Sequence, residues 1–207
     1  MALTFYTNPQ SRGRIARWML EEVGVPYETV VLDYQGSMKG DDYRAINPMM
    51  KVPAIVHDGQ VVTEGAAICA YLADAFPDAG LAPTPAERAD YYRWLFFAAG
   101  PLEAAVTDRS MKVEPTAEQQ RMAGYGNFDL TASVLEQAVG RHPYIAGDRF
   151  TAADVYVGSG VSWYTQFGLI PKTPVMAAYL ERILSRPAYK RAGELDDAAA
   201  AGVGQSG

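Results

Sequence analysis

Val52-Pro53-Ala54-Ile55-Val56-His57-Asp58-Gly59-Gln60-Val61-Val62-Thr63-Glu64-Gly65-Ala66-Ala67-Ile68-Cys69-Ala70-Tyr71-Leu72 is the stretch that decides the fold. Val52 precedes a proline and is biased to extended geometry, while Pro53 withholds an N–H from any ladder, so it belongs at an edge or next to a ligand. The main-chain groups of Val52 are then free to pair with something outside the sheet. Two β-type runs, Ala54 to His57 and Gln60 to Thr63, flank Asp58-Gly59, a pair suited to the positive φ angles of a two-residue hairpin turn. The second run passes through Glu64-Gly65 into a helical pattern with Ile68, Tyr71, Leu72 and Ala75 on one face. The first free N–H groups of that helix sit beside the sheet edge and favour an anion there.

Working outward, Leu3 to Thr7 reads as a strand, Asn8-Pro9-Gln10 turns it into a helix beginning near Ser11, and Gly24 ends that helix. Tyr27 to Leu32 gives a second strand, and Gln35 to Asn47 a short helix within a connection. A first parallel crossover followed by an antiparallel hairpin and a covering helix results. Pro77, Gly80, Pro83 and Pro85 then break the chain. Beyond Ala86 the pattern is helical throughout: Ala86 to Ser110 with a bend at Gly100-Pro101, Thr116 to Val139, Thr151 to Phe167, Thr173 to Leu184, and a short piece from Pro187. Thr151 and Asp154 are spaced as a capping box, with Phe150 and Val155 as its hydrophobic staple. Gly158, Ser159 and Gly160 permit close approach of another backbone and make that helix central. The tail from Asp196, rich in alanine and glycine, reads as flexible. Its Gly202-x-Gly204-x-x-Gly207 has no strand before it or helix after it, so it is a coincidence of composition.

The chain has 207 residues, 49% of them hydrophobic, and a formal charge of −6. That is enough for two modest domains or one large one, with a full core. No basic block is present to track a phosphate backbone, which argues against nucleic acid. The longest strongly apolar run, Trp94 to Ala99, is too short to cross a bilayer, and the first residues lack the pattern of a secretory signal, so the expected location is the cytoplasm. Cys69 is the single cysteine, which excludes an intramolecular disulfide and a Cys-x-x-Cys redox pair. In its helical setting it reads as a small buried core residue. With His57 and His142 as the only imidazoles, no metal site is expected. His57 reads as a surface strand residue. No Gly-x-Ser-x-Gly elbow supports a serine hydrolase.

Ser11-Arg12-Gly13-Arg14, Leu20-Glu21-Glu22-Val23-Gly24, Asn47-Pro48, Lys51-Val52-Pro53, Thr63-Glu64-Gly65-Ala66-Ala67-Ile68 and Thr151-Ala152-Ala153-Asp154 occur in an order and spacing that resemble a bacterial cytosolic glutathione transferase. The likeness runs from Leu3 to about Ala192. It implies an α/β plus all-α fold: a thioredoxin-like N-terminal domain (βαβαββα) over residues 1–79, a linker at 80–85, an all-helical C-terminal domain over 86–195 and a flexible tail at 196–207. It further implies a symmetric homodimer, a cis peptide bond before Pro53, glutathione as co-substrate and a small hydrophobic electrophile as its partner. Two departures stand out. Gly65 replaces the usual serine, and Met50 replaces the usual glycine.

The resemblance assigns glutathione binding to Arg12, Lys51, Val52, Pro53, Glu64 and Gly65. An extended tripeptide pairs with the Val52 backbone; its γ-glutamyl carboxylate suits Gly65, its ammonium Glu64, and its glycyl carboxylate Lys51. The catalytic step needs an ionised thiol, which starts near a pKa of roughly 8.5. Lowering it by two units takes about 2.7 kcal/mol, within reach of one hydrogen bond to a charged group, about 1.5–3 kcal/mol, aided by a helix N-terminus. Ser11 is the expected thiolate donor. Gln10, Arg12 and Tyr6 are alternatives, and an ordinary N-cap is the competing role for Ser11. Arg14 and Arg17 are expected to face solvent or a domain interface. Two further readings stay open: glutathione-dependent isomerisation, dehalogenation or peroxide reduction at the same site, and a non-catalytic protein-interaction module.

Overall fold

The computed structural model describes residues 2–203. Its first unit is a four-stranded sheet of order β2-β1-β3-β4, formed by β1 (Leu3–Thr7), β2 (Glu28–Val31), β3 (Ala54–His57) and β4 (Gln60–Thr63). β1 runs parallel to β2 and antiparallel to β3, and β3 is antiparallel to β4. The hairpin forms where its turn chemistry places it: His57 pairs with Gln60, and Asp58 and Gly59 take φ 47° and 84°, the geometry that matches strand twist in a two-residue loop.

Helix α1 (Gly13–Val23) buries Ile15, Ala16, Trp18, Met19 and Leu20 and ends at Gly24, whose left-handed φ of 74° lets its N–H reach the Leu20 carbonyl. This is the standard glycine stop. α1 packs against α3 (Gly65–Ala75), which buries Ile68, Cys69 and Leu72. On a separate cluster, Leu32, Met38, Tyr43 and Ala54 are buried together with Tyr6, Val30, Ile46 and Val52 against them. The connection expected between Gln35 and Asn47 is a 3-10 turn, Ser37–Lys39, followed by α2 (Asp41–Ile46).

The second unit, Ala82–Leu184, is helical: α4 (Arg88–Phe97), α5 (Glu103–Ser110), α6 (Ala117–Met122), α7 (Phe128–Arg141), α8 (Ala152–Gln166) and α9 (Pro174–Leu184). The bend at Gly100-Pro101 is a π-helical turn, Ala98–Leu102, a widened turn that tolerates a proline without an N–H to give. The run expected from Thr116 to Val139 is two helices, because Gly126 at φ 68° interrupts it and Asn127 starts a new cap by accepting from the Leu130 amide. α8 is central as expected. A Cβ on Gly158 would fall on the Ile183 side chain, so glycine is what lets α8 and α9 meet.

The C-terminal segment corrects the sequence reading. Residues 196–203, expected as part of a flexible tail, are turns of α10 (Pro187–Val203); residues 204–207, with most of the glycine motif, lie outside the described residues. α10 packs along α1 and groups with the first unit rather than the second, as does everything from Ser185 onward. Its alanines favour helix once a surface exists to bury them, and Ala192 and Asp196 are buried there. Arg17, expected at solvent or a domain interface, is also buried, with Nε donating to Asp196 Oδ1 at 2.8 Å.

Candidate active site

Strand register brings the expected site residues to one end of the sheet. Tyr6 lies opposite Ala54, and Ala54 opposite Thr63, so these three form one row. The chain leaving β1 (residues 8–12), the chain entering β3 (Lys51–Pro53) and the chain leaving β4 (Glu64–Gly65) therefore all emerge beyond that row. Adjacent strands are about 4.8 Å apart, which separates the beginnings of α1 and α3 by roughly 10 Å, the reach of about three extended residues.

The Val52–Pro53 bond is cis, as the resemblance implied. Val52 is half-buried, and among the described residues its N–H and carbonyl have no main-chain partner. The neighbouring carbonyl is tightly held: Lys51 O accepts from Tyr43 Oη at 2.6 Å and from Asn47 Nδ2 at 2.8 Å. Asn47 Oδ1 in turn accepts from the Met49 amide at 3.1 Å. Burial pushes the Tyr43 phenol up to about 12, so it stays a donor at any physiological pH. Tyr43 and Asn47 were not among the sequence-derived site residues. Asn47 stood in the Asn-Pro motif, but nothing in the sequence ties Tyr43 to a carbonyl across a loop. Met50 adopts φ 51°, the left-handed region where glycine is the unstrained residue, which accounts for the glycine expected there. The Lys51 side chain is exposed.

At the start of α3, Glu64 sits at φ 67° and ψ 120°, a sparsely populated conformation for a residue with a Cβ that costs about 1–3 kcal/mol. Its carbonyl accepts from the Ile68 amide at 2.9 Å, while the side chain makes no cap hydrogen bond. The amides of Gly65, Ala66 and Ala67 have no acceptor among the described residues. A helix end left open at the surface in this way is an anion seat.

The start of α1 is built differently. Ser11 Oγ donates to the Asn8 carbonyl at 2.6 Å and accepts from the Gly13 amide at 2.9 Å, so its proton is engaged inside its own turn. The next two carbonyls are also held by side chains: Pro9 O by Arg14 Nε at 2.7 Å and Gln10 O by Tyr34 Oη at 3.2 Å. Asn8 completes the frame, with Nδ2 donating to Leu32 O and Oδ1 accepting from the Gln10 amide. A Cβ on Gly13 would fall on the Thr7 hydroxyl, so only glycine allows this close entry. Gln10 and Arg12 are exposed beside Ser11. Tyr6 is not at the turn: its ring packs on Tyr43, 5.6 Å between centroids.

Cys69 is fully buried and burial drives its thiol well above the usual range, so it is no nucleophile. His57, expected on the surface, is partly covered: Nδ1 lies 2.9 Å from Tyr71 Oη, and its ring packs 5.2 Å from that of Phe76. Among the described residues no group of His, Cys, Asp or Glu is arranged to hold a metal ion.

Against this geometry stand the likenesses to known proteins. The glutathione S-transferase N-terminal domain family matches residues 12–75 and the glutathione S-transferase C-terminal domain family matches residues 95–187. Glutathione S-transferase GstA of Escherichia coli O157:H7 is 31% identical over 180 residues, spanning 81% of this chain and 86% of that protein. A glutathione transferase structure from Methylococcus capsulatus superposes with a TM-score of 0.76 at 30% identity, covering 95% of this chain and 99% of that one. A sphingomonad glutathione S-transferase complexed with glutathione gives a TM-score of 0.75 at 26% identity, covering 94% and 98%.

Proposed function

Because this chain belongs to the glutathione S-transferase family, we propose that it conjugates glutathione to small hydrophobic electrophiles at the end of its sheet. The observation that carries the reading is the row Tyr6–Ala54–Thr63 with the unpaired main chain of Val52 beyond it. It leaves one unpaired stretch of main chain between two helix beginnings. The cysteinyl part of the tripeptide exchanges backbone hydrogen bonds with Val52. The γ-glutamyl carboxylate takes the open amides from Gly65 onward, Glu64 neutralises the γ-glutamyl ammonium, and Lys51 meets the glycyl carboxylate. Pro53 ends the ladder ahead of β3 and leaves Val52 unpaired, and Arg12 adds positive charge beside the sulfur.

The sulfur then lies over the turn that starts α1. Ser11 is the activating donor in this reading, and its hydroxyl reaches the sulfur by rotating off the Asn8 carbonyl. A thiolate rewards that exchange because a hydrogen bond to a charged acceptor is stronger than one to a neutral carbonyl. In the chemical step a sulfur lone pair forms the new C–S bond while a halide departs with its bonding pair. With an epoxide or unsaturated carbonyl the displaced pair goes to oxygen and is protonated from solvent. The enzyme works in the cytoplasm as a homodimer in detoxification. Exposed Tyr92 and Phe96, one helical turn apart on α4, offer an apolar face to the partner copy.

A second reading, a non-catalytic module that recruits a protein partner, draws on Gly65 in place of the usual serine and on the engaged Ser11 proton. Titration calorimetry with glutathione and a turnover screen over aryl halides, epoxides, hydroperoxides and unsaturated carbonyls separate the two. Saturable heat with turnover supports the enzyme, and the preferred electrophile distinguishes conjugation from isomerisation, dehalogenation or peroxide reduction. Saturable heat with no turnover removes the enzyme, and no heat at millimolar ligand ends the glutathione reading and leaves the protein-interaction module. Ser11→Ala is expected to raise the bound thiol pKa by about one to two units, equal to roughly 1.4–2.7 kcal/mol, without unfolding the protein. An unchanged pH–rate profile removes Ser11 from the mechanism.

A further inference from the structure

Helices α1 and α10 pair antiparallel through arginine–carboxylate contacts, Arg14 with Asp197 at 2.6 Å, Arg17 with Asp196 at 2.8 Å and Glu21 with Arg191 at 2.7 Å, and Arg186, the residue just before α10, adds a fourth with Glu22 at 2.6 Å. On α1 the arginines lie toward the N-terminus and the glutamates toward the C-terminus, against its own dipole. The order is unfavourable for the helix alone and complementary to α10. The Arg17–Asp196 pair is buried, with side chains 4% and 1% exposed. Asp196 Oδ2 has no hydrogen-bond partner among the described residues. A buried pair of this kind fixes register more than it stabilises.

The register fixed in this way places Arg14 between two groups. Its Nη2 donates to Asp197 Oδ1, and its Nε donates to the Pro9 carbonyl at 2.7 Å. Pro9 lies in the turn that carries Ser11. We propose that Arg14 is a positioning residue through which α10 holds the thiolate-activating turn, so that the C-terminal helix, remote in sequence, sets the geometry of catalysis. This rests on the reading of the 8–12 turn as the thiolate site. The Arg14 and Asp197 side chains are 34% and 72% exposed, so their ion pair contributes little to stability. Its effect is on where the Pro9–Ser11 segment sits, and displacement of a catalytic group by a fraction of an ångström is enough to slow a reaction.

The test uses the full chain with glutathione and chlorodinitrobenzene, reading kcat, KM for glutathione and the pH profile of kcat/KM. Wild-type turnover comes first: if it is absent with chlorodinitrobenzene and with every electrophile of the screen above, the site reading fails and this inference falls with it; otherwise the electrophile that is turned over is used. Given turnover, Arg14→Met is expected to lower kcat roughly tenfold, to move the ionisation in the profile to higher pH, and to change KM by less than about twofold. Asp197→Asn is expected to lower kcat by roughly threefold in the same manner. The exchange Arg14→Asp with Asp197→Arg restores the pair between helices but leaves Pro9 without its donor, and it is expected to stay as slow as Arg14→Met. Arg14→Lys keeps the charge without spanning both partners, so it retains the fold and remains slower than wild type. A wild-type profile in Arg14→Met or Arg14→Lys, or recovery in the exchanged pair, overturns the proposal.

Discussion

The beginnings of α3 and α8 are two solutions to the same problem, the orphan amides of a helix N-terminus. At α8 the chain closes on itself. Thr151 and Asp154 form a capping box, and the buried Asp154 carboxyl also accepts from the Ile145 amide at 2.8 Å and from Tyr179 Oη at 2.9 Å. At α3 the cap residue is Glu64, held at positive φ with no side-chain cap, and the amides behind it stay open. The first arrangement contributes to folding; the second forgoes that stabilisation and leaves donors without a protein acceptor among the described residues. A helix start is thus a folding device when a buried carboxylate fills it, and offers donors to an outside acceptor when the fold leaves it open beside unpaired main chain such as that of Val52.

The contrast breaks most sharply at Asp154. Asp154→Ala strands buried donors at Thr151, Ile145 and Tyr179, and is expected to cost about 4 kcal/mol in chemical denaturation, while glutathione affinity per folded molecule stays the same. A subtler probe of the same carboxyl is pH. Burial raises its pKa to about 6 despite the donors around it, so the folded state holds the proton more tightly than the unfolded one. The stability this group lends is complete below about pH 4 and is lost as pH rises through about 6, up to roughly 3 kcal/mol from the linkage relation. Denaturation curves from pH 4 to 7 are expected to show wild type losing stability relative to Asp154→Asn over that window; parallel curves would refute the burial argument.

At α3 the expected effects are on binding. Gly65→Ser adds the hydroxyl that the family resemblance led us to expect, and calorimetry is expected to show glutathione binding tighter by about 1.5 kcal/mol, near tenfold, with stability hardly changed. No gain would mean the ligand carboxylate does not sit over residue 65. The smallest effect concerns Cys69, one turn inward from the open amides and fully buried. A thiol reagent is expected to leave it unmodified in the native protein over hours, and glutathione to make no difference. Rapid labelling would show that the open end frays and that its amides are not pre-set for a ligand.

The Asp58-Gly59 turn, the Gly24 stop and the Thr151–Asp154 box were legible because each is written in residues a few positions apart, where φ/ψ preference and side-chain reach leave little choice. The same holds for Pro53, whose missing N–H marks where ladder pairing stops, here just ahead of the interior strand β3. Arg17 and the α10 segment were misread for the opposite reason. Asp196 lies 179 positions from Arg17, and a segment of alanine, glycine and aspartate looks like a tail until the helix face that receives it is in place. Ser11 was found as a candidate, but its hydroxyl bond to Asn8 depends on how the turn closes over Thr7 and Leu32.

By itself the sequence determined the strands, most of the helices, their order and the row of strand ends beyond which three connections meet, since these follow from local backbone preference and apolar periodicity. Tertiary structure alone decided that Asn8 engages the Ser11 hydroxyl, that Tyr43 and Asn47 share the Lys51 carbonyl, and that α10 belongs to the sheet-bearing unit. Those outcomes depend on packing between distant residues, where burial turns a weak surface charge or hydroxyl into a fixed one.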